Sequence, residues 1–176
     1  MVGVQRHRPH EIGVCWQSKG WLEYRIKQPA IKSAGAQIVS DNWDDETKWP
    51  KDWVAAYHGG RWYAFWNIIA DGWINISAKG GIGQMAGGGD GHYCALDMEY
   101  ARWLSRPQVL FQDDAFHRVM YRFAFDQSKV KRVRFVMEGT EHVINDGGIV
   151  LLSCLMKPNF PAVEHTEERF HDWNPQ

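Results

Sequence analysis

The sequence holds little that would tie it to an oxidising compartment, a structural metal or a nucleic acid. Among its 176 residues there are only three cysteines. Cys15, Cys94 and Cys154 are odd in number, far apart and in no CxxC pair, which argues against a disulfide framework and a zinc site. They read as small buried hydrophobes of a reducing compartment. Acidic and basic residues nearly cancel, at a formal net charge of −1, so the basic excess of a dedicated nucleic-acid binder is missing. The one basic group, Lys129, Lys131, Arg132 and Arg134, alternates like the solvated face of a strand. No apolar run approaches the roughly 20 residues that span a bilayer, and residues 1–11 carry no apolar segment of the kind a secretory signal needs. These absences predict an intracellular protein, cytoplasmic or nuclear, with no membrane partner.

Several catalytic signatures are absent as well. There is no GxxxxGK[ST], no GxGxxG closing a strand and no GxSxG elbow, which sets aside P-loop, dinucleotide-fold and serine-hydrolase readings. His7 and His10 beside Glu11, and His92 near Asp90 and Asp97, lack the helical pairing of a zinc hydrolase. They read as surface histidines, and no metal is expected.

What is present in excess is tryptophan, ten residues of it, with Trp43, Trp49, Trp53, Trp62, Trp66, Trp73 and Trp103 crowded into one third of the chain. Each offers a large area for burial and one N–H that wants a partner. Most are expected in the core and a minority in the wall of a pocket for a flat ring. The length suits a single domain, 1–176.

The apolar pattern predicts α+β architecture. Residues 53–59 read as a buried strand ending in glycine. Trp62, Phe65, Trp66 and Ile69 recur at helical spacing before Gly72, a C-cap glycine. Residues 73–77 read as a short strand, and the seven glycines of 79–91 as a loop. A strand end at 92–96 precedes a helix over 97–104 with Asp97 as N-cap. Residues 119–125, 130–137, 141–144 and 149–156 read as strands, and the stretch from Lys157 as irregular. The acidic, turn-rich run 40–46 is read as closing an N-terminal section of short strands.

Three short segments then stand in order at strand ends: Tyr57-His58-Gly59, Gly91-His92-Tyr93-Cys94-Ala95 and Thr140-Glu141-His142-Val143-Ile144. Between the first two lies Trp66-Asn67-Ile68-Ile69-Ala70-Asp71-Gly72. This series resembles the His-Tyr-Glu signature of the poly(ADP-ribose) polymerase, or diphtheria-toxin-like, branch of the ADP-ribosyltransferases, over a motif-bearing core of about residues 53–156. The resemblance implies an ADP-ribosyltransferase-like fold, with short mixed or antiparallel strands in two packed sheets and a few flanking helices. It implies NAD as donor and release of nicotinamide, with transfer of a single ADP-ribose unit to an acceptor that is protein, nucleic acid or small molecule. By the same likeness His58 would hydrogen-bond the adenosine-side ribose and the Gly59 backbone would grip the nicotinamide amide. Tyr93 would stack on the nicotinamide opposite Trp103 or Tyr100, with Ala101 as the small residue beside them. Glu141 would hold the nicotinamide ribose and offset its developing positive charge. Three positions depart from the family's pattern: Gly60 replaces a serine or threonine, Tyr100 a serine, and His142 an aromatic residue. Hydrolysis of NAD, or an inert module that binds NAD or a partner, are the alternatives.

Overall fold

The computed structural model describes residues 14–18, 20–60, 62–74, 91–113, 115–131, 141–144 and 147–159. Two short strands, β1 (Val14–Ser18) and β2 (Trp21–Arg25), are joined through Gly20, whose φ of 80° suits the turn. Helix α1 (Ala34–Asp41) follows, then β3 (Trp53–Gly59), α2 (Trp62–Asp71), β4 (His92–Ala95) and α3 (Met98–Leu104). The last described elements are β5 (Phe116–Asp126), β6 (Val130–Lys131), β7 (Glu141–Ile144) and β8 (Ile149–Asn159). The eight described strands lie in one sheet of order β1-β2-β8-β5-β3-β4-β7-β6, and every neighbouring pair is antiparallel. The α+β class is therefore as expected, whereas the two packed sheets of the expectation meet a single hydrogen-bonded one. That sheet is nonetheless thin at one point: β3 joins β4 through the one registered pair Tyr57–Ala95.

The helices cap the two faces of the sheet. Strand residues alternate in direction, so Val119, Tyr121, Phe123 and Phe125 of β5 share a face. They pack with Phe65 and Ile68 of α2. The opposite face splits into two apolar clusters. In one, Ala36 and Val39 of α1 meet Trp43, Trp49, Trp53, Ala124 and Leu152. In the other, Ala101 of α3 meets Trp21, Met120 and Leu155. Between Met120 and Ala124 the same face of β5 carries Arg122, so a polar strip separates the two clusters.

Local chemistry explains most boundaries. The Asp97 carboxylate accepts from the Glu99 N–H and starts α3 as the sequence predicts, while Gly72 closes α2 at φ 60° with the Gln28 carbonyl against its bare Cα. Helix α1 corrects the reading of an all-strand N-terminal section. Ser33 caps it by accepting from Ala36 N–H, and Gly35 lets it lie on the Trp53 indole. Trp73 and Ile74 are buried but form no strand, and the remainder of that expectation, like the glycine loop, lies outside the described residues. So do residues 132–137 of the expected 130–137 strand. Strand β8 runs on past Met156 through Pro158, where irregular chain was expected. Beyond Leu22–Met156 it is paired with β5 alone, so a proline without an N–H costs the ladder nothing there.

Among the described residues Trp21, Trp43, Trp49, Trp53 and Trp73 are buried, as expected of the core, while Trp66 and Trp103 are exposed. Cys94 and Cys154 are buried and in no disulfide. His92 is buried, against the surface position expected of it, with its ring edge-on to Trp73 at 5.1 Å. No helix among the described residues is long and apolar enough to cross a membrane.

Candidate active site

The site is built where β3 and β4 part. Continued past Tyr57–Ala95, an antiparallel ladder would pair His58 with Cys94, but it stops there. Instead the His58 ring crosses the gap: its Nδ1 lies 2.7 Å from the Tyr93 carbonyl oxygen. A carbonyl only accepts, so Nδ1 carries the hydrogen. Burial holds the imidazole below its ordinary pKa, outweighing the opposing pull of that hydrogen bond. His58 is thus neutral near pH 7, and its Nε2 is left as an acceptor. An Nε2 of this kind can take a hydrogen bond from a hydroxyl.

The depressed pKa makes stability depend on pH, and the sign follows from linkage. The unfolded histidine protonates near 6.5 before the folded one does, so stability is fully present above that value. It is lost as pH falls through 6.5 towards the lower folded pKa. We expect urea midpoints to fall over that window in the wild type. In His58→Gln the part of that fall due to residue 58 is expected to vanish.

Tyr93, from β4, pairs with Val143 of β7, and Ala95 pairs with Glu141. The expected triad positions 58, 93 and 141 therefore lie on three consecutive strands of the sheet. Alternation puts positions 93, 95 and 141 on the α3 face with Tyr57, and His58 on the α2 face with Tyr121, whose ring is 6.4 Å away. What His58 meets is thus the Tyr93 main chain. The Tyr93 side chain is only 7% exposed. The Glu141 side chain and the rival Glu138 lie outside the described residues.

Gly59 and Gly60 owe their lack of a side chain to two different neighbours. A Cβ on Gly59 would stand 2.7 Å from the Ala101 carbonyl oxygen and 2.9 Å from the Leu104 carbonyl carbon, so it is α3 that approaches closely here. A Cβ on Gly60 would stand 2.6 Å from Cε2 of Tyr121. That ring fills the place a side chain at position 60 would occupy. The Tyr121 hydroxyl is fully buried, has no hydrogen-bond partner among the described residues and is held well above its ordinary pKa by burial.

Helix α3 is clamped against this corner from its far end. Ser105 donates its hydroxyl to the Val119 carbonyl, Arg118 donates to the Ser105 carbonyl at 2.9 Å, and Gln108 donates to the Gly60 carbonyl at 3.2 Å. Ala101 is fully buried and seats α3 on the sheet, Tyr100 is half-buried, and Trp103 is 59% exposed. Of the α3 candidates, Ala101 thus faces the core and Trp103 faces solvent. We expect Gly59→Ala to lower stability by about 2 kcal/mol, within the range for overpacking against parts that cannot yield, here backbone. Denaturant midpoints at unchanged m measure it.

A second polar cluster escaped the sequence reading altogether. Arg122, in the middle of β5, contacts Glu23 at 3.3 Å, Glu46 at 2.8 Å and the Trp43 carbonyl at 3.2 Å. Ser153 donates to the same Glu23 oxygen. Glu23 and Arg122 are 99 residues apart, and no local pattern announces such a pair. No protein-family model matches the chain, and no curated protein matches it either.

Proposed function

We propose that this chain is an ADP-ribosyltransferase that transfers one ADP-ribose unit from NAD to an acceptor and releases nicotinamide. The observation that carries the reading is the His58–Tyr93 hydrogen bond at the parting of β3 and β4, with Gly59 under α3 and position 141 paired beside Ala95. The three motif segments, far apart in sequence, lie on three consecutive strands, with His58 on the α2 face and positions 93 and 141 on the α3 face. The ADP-ribosyltransferase fold itself, with a cleft between two sheets, is part of this proposal, and the single-pair seam between β3 and β4 supports it.

The chemistry asks for little acid catalysis. The bond between nicotinamide and ribose C1′ breaks with its electron pair leaving on nicotinamide, which departs neutral. The ribose passes through an oxocarbenium-like centre, the acceptor's lone pair forms the new bond to C1′, and the acceptor's proton goes to solvent. The protein's share is to orient and to stabilise charge. His58 receives a hydrogen bond from a ribose hydroxyl at Nε2, and the Gly59 main chain grips the carboxamide. Tyr93 and an aromatic side chain of α3, Trp103 or Tyr100, close on the ring. Glu141 faces the positive charge that develops on the sugar.

The test is release of nicotinamide from NAD by the purified protein, with the second product resolved by mass. The expected product is an acceptor heavier by one ADP-ribose unit. Free ADP-ribose alone would make the protein a hydrolase, and no release in the presence of candidate acceptors would refute the reading.

A further inference from the structure

Between α3 and β5 the chain forms a strap, residues 108–113, that lies over the end of β3. It leaves the α3 side at Ser105, which bonds to Val119 and Arg118. It reaches α2 at Phe111, whose ring stands edge-on to Phe65 and Trp66 at 6.3 and 6.0 Å. The Gly60 N–H donates to the Val119 carbonyl, and two residues back along β5 the strap takes the place that β3 has left. There Gln108 and His117 exchange both main-chain hydrogen bonds in an isolated bridge. Two side-chain bonds add to it. Gln108 Nε2 donates to the Gly60 carbonyl at 3.2 Å, and His117 Nε2 donates to the Asp113 carboxylate at 3.1 Å.

The seam beneath the strap is poorly satisfied. Gln108 Oε1, His117 Nδ1 and the Tyr121 hydroxyl are buried, and none has a hydrogen-bond partner among the described residues. The three belong to one neighbourhood. Gln108 is the bridge partner of His117, and His117 and Tyr121 share a face of β5. A Cβ on Gly60 would stand 3.4 Å from the Tyr121 oxygen. Interiors rarely leave such groups unpaired, because each has lost its water and gained no bond in return. Lifting the strap returns water to all three, at the cost of one bridge and two side-chain bonds. The seam therefore opens more cheaply than the strand pairings around it.

We propose that this strap is a gate, whose spontaneous opening admits NAD to the corner around His58. The inference rests on the transferase reading, in which one dinucleotide touches His58 on the α2 face and positions 93 and 141 on the α3 face. Such a ligand crosses between the faces where β3 and β4 part, beside the Gly60 that the closed strap holds. NAD then binds the open fraction, and its apparent association rate scales with that fraction.

Two variants push the gate in opposite directions. Tyr121→Phe removes a hydroxyl that is unpartnered under the closed strap and hydrated once it lifts, so opening is expected to become about tenfold rarer. Asp113→Ala takes away the acceptor of His117 Nε2, and opening is expected to become about tenfold more frequent. Hydrogen exchange followed by NMR reads the opening at the Gln108 and His117 amides. In the wild type these are expected to exchange about 10²-fold faster than the amides of β5 from Met120 to Ala124, which β3 and β8 flank. Stopped-flow tryptophan fluorescence reads NAD association, expected to slow in Tyr121→Phe and to quicken in Asp113→Ala by the factors seen in exchange. The urea midpoint of Tyr121→Phe, expected at or above that of the wild type, shows that the variant folds. Exchange at Gln108 and His117 as slow as in the middle of β5, or NAD association that ignores the two variants, overturns the gate and leaves the transferase reading to stand on nicotinamide release. NAD association that follows the variants without any release of nicotinamide overturns the transferase reading and leaves the gate. A wild type that does not bind NAD overturns both.

Discussion

Glu141→Gln is expected to lower nicotinamide release from NAD by about 10²-fold or more with no measurable change in the unfolding midpoint. Glutamine keeps the shape of the side chain and the β7 main-chain pairing with Ala95, so the ladder has no reason to weaken. What it removes is a full negative charge. In the transition state the nicotinamide bond is largely broken and the sugar carries positive charge, whereas in bound NAD that charge still sits on the pyridinium ring. A carboxylate fixed on the sugar side therefore gains more in the transition state than in the ground state, and its loss appears in kcat more than in KM. Glu138→Gln, three positions earlier, is the control for register and is expected to retain activity. Loss of activity in Glu138→Gln with a fully active Glu141→Gln would move the carboxylate to that position and break the triad as assigned here.

The elements around the gap were legible because each carries its signal locally. Trp53–Gly59 is a short apolar run with a terminal glycine, α2 shows helical spacing up to Gly72, and Asp97 caps α3. Such features depend on neighbours within a turn or a strand. Helix α1 was missed because it is only eight residues long, and just Ala36, Val39 and Ser40 face the core. Its stability comes from Trp43, Trp49 and Trp53, which the local pattern cannot see. The sheet order could not be read either, since β8 inserts between β2 and β5 at long sequence distance. In the candidate site, the three motif segments stand out in the sequence as a series, but the reasons for the neighbouring glycines do not. Gly59 answers to α3, and Gly60 to a tyrosine sixty-one positions on. The Arg122 cluster is the extreme case, because Arg122 sits in a strand whose apolar alternation gives no hint of what its polar members meet.

Arg122→Met is expected to destabilise the protein by about 3–5 kcal/mol, the usual cost of removing one partner from a buried ion pair. Arg122 is pulled down by its own desolvation, yet Glu46 and Glu23 outweigh that and hold its pKa above the ordinary value. It is therefore charged at any working pH. With both side chains nearly buried, at 12% and 6% exposure, solvent screens the pair little. Methionine fills much of the space and keeps the packing, so the loss is electrostatic: Glu23 stays in the sheet with only the Ser153 hydroxyl for company. The Glu46 contact, on a half-exposed carboxylate, adds little to this sum. The second arm of the cycle is Glu23→Gln/Arg122→Met, in which no buried charge remains and most of the stability is expected to return. Urea midpoints at constant m measure both. If the single and double variants lose the same amount, Arg122 acts by packing and by its bond to the Trp43 carbonyl, not by neutralising Glu23. In that case Glu23 is tolerated in the sheet without a counter-charge.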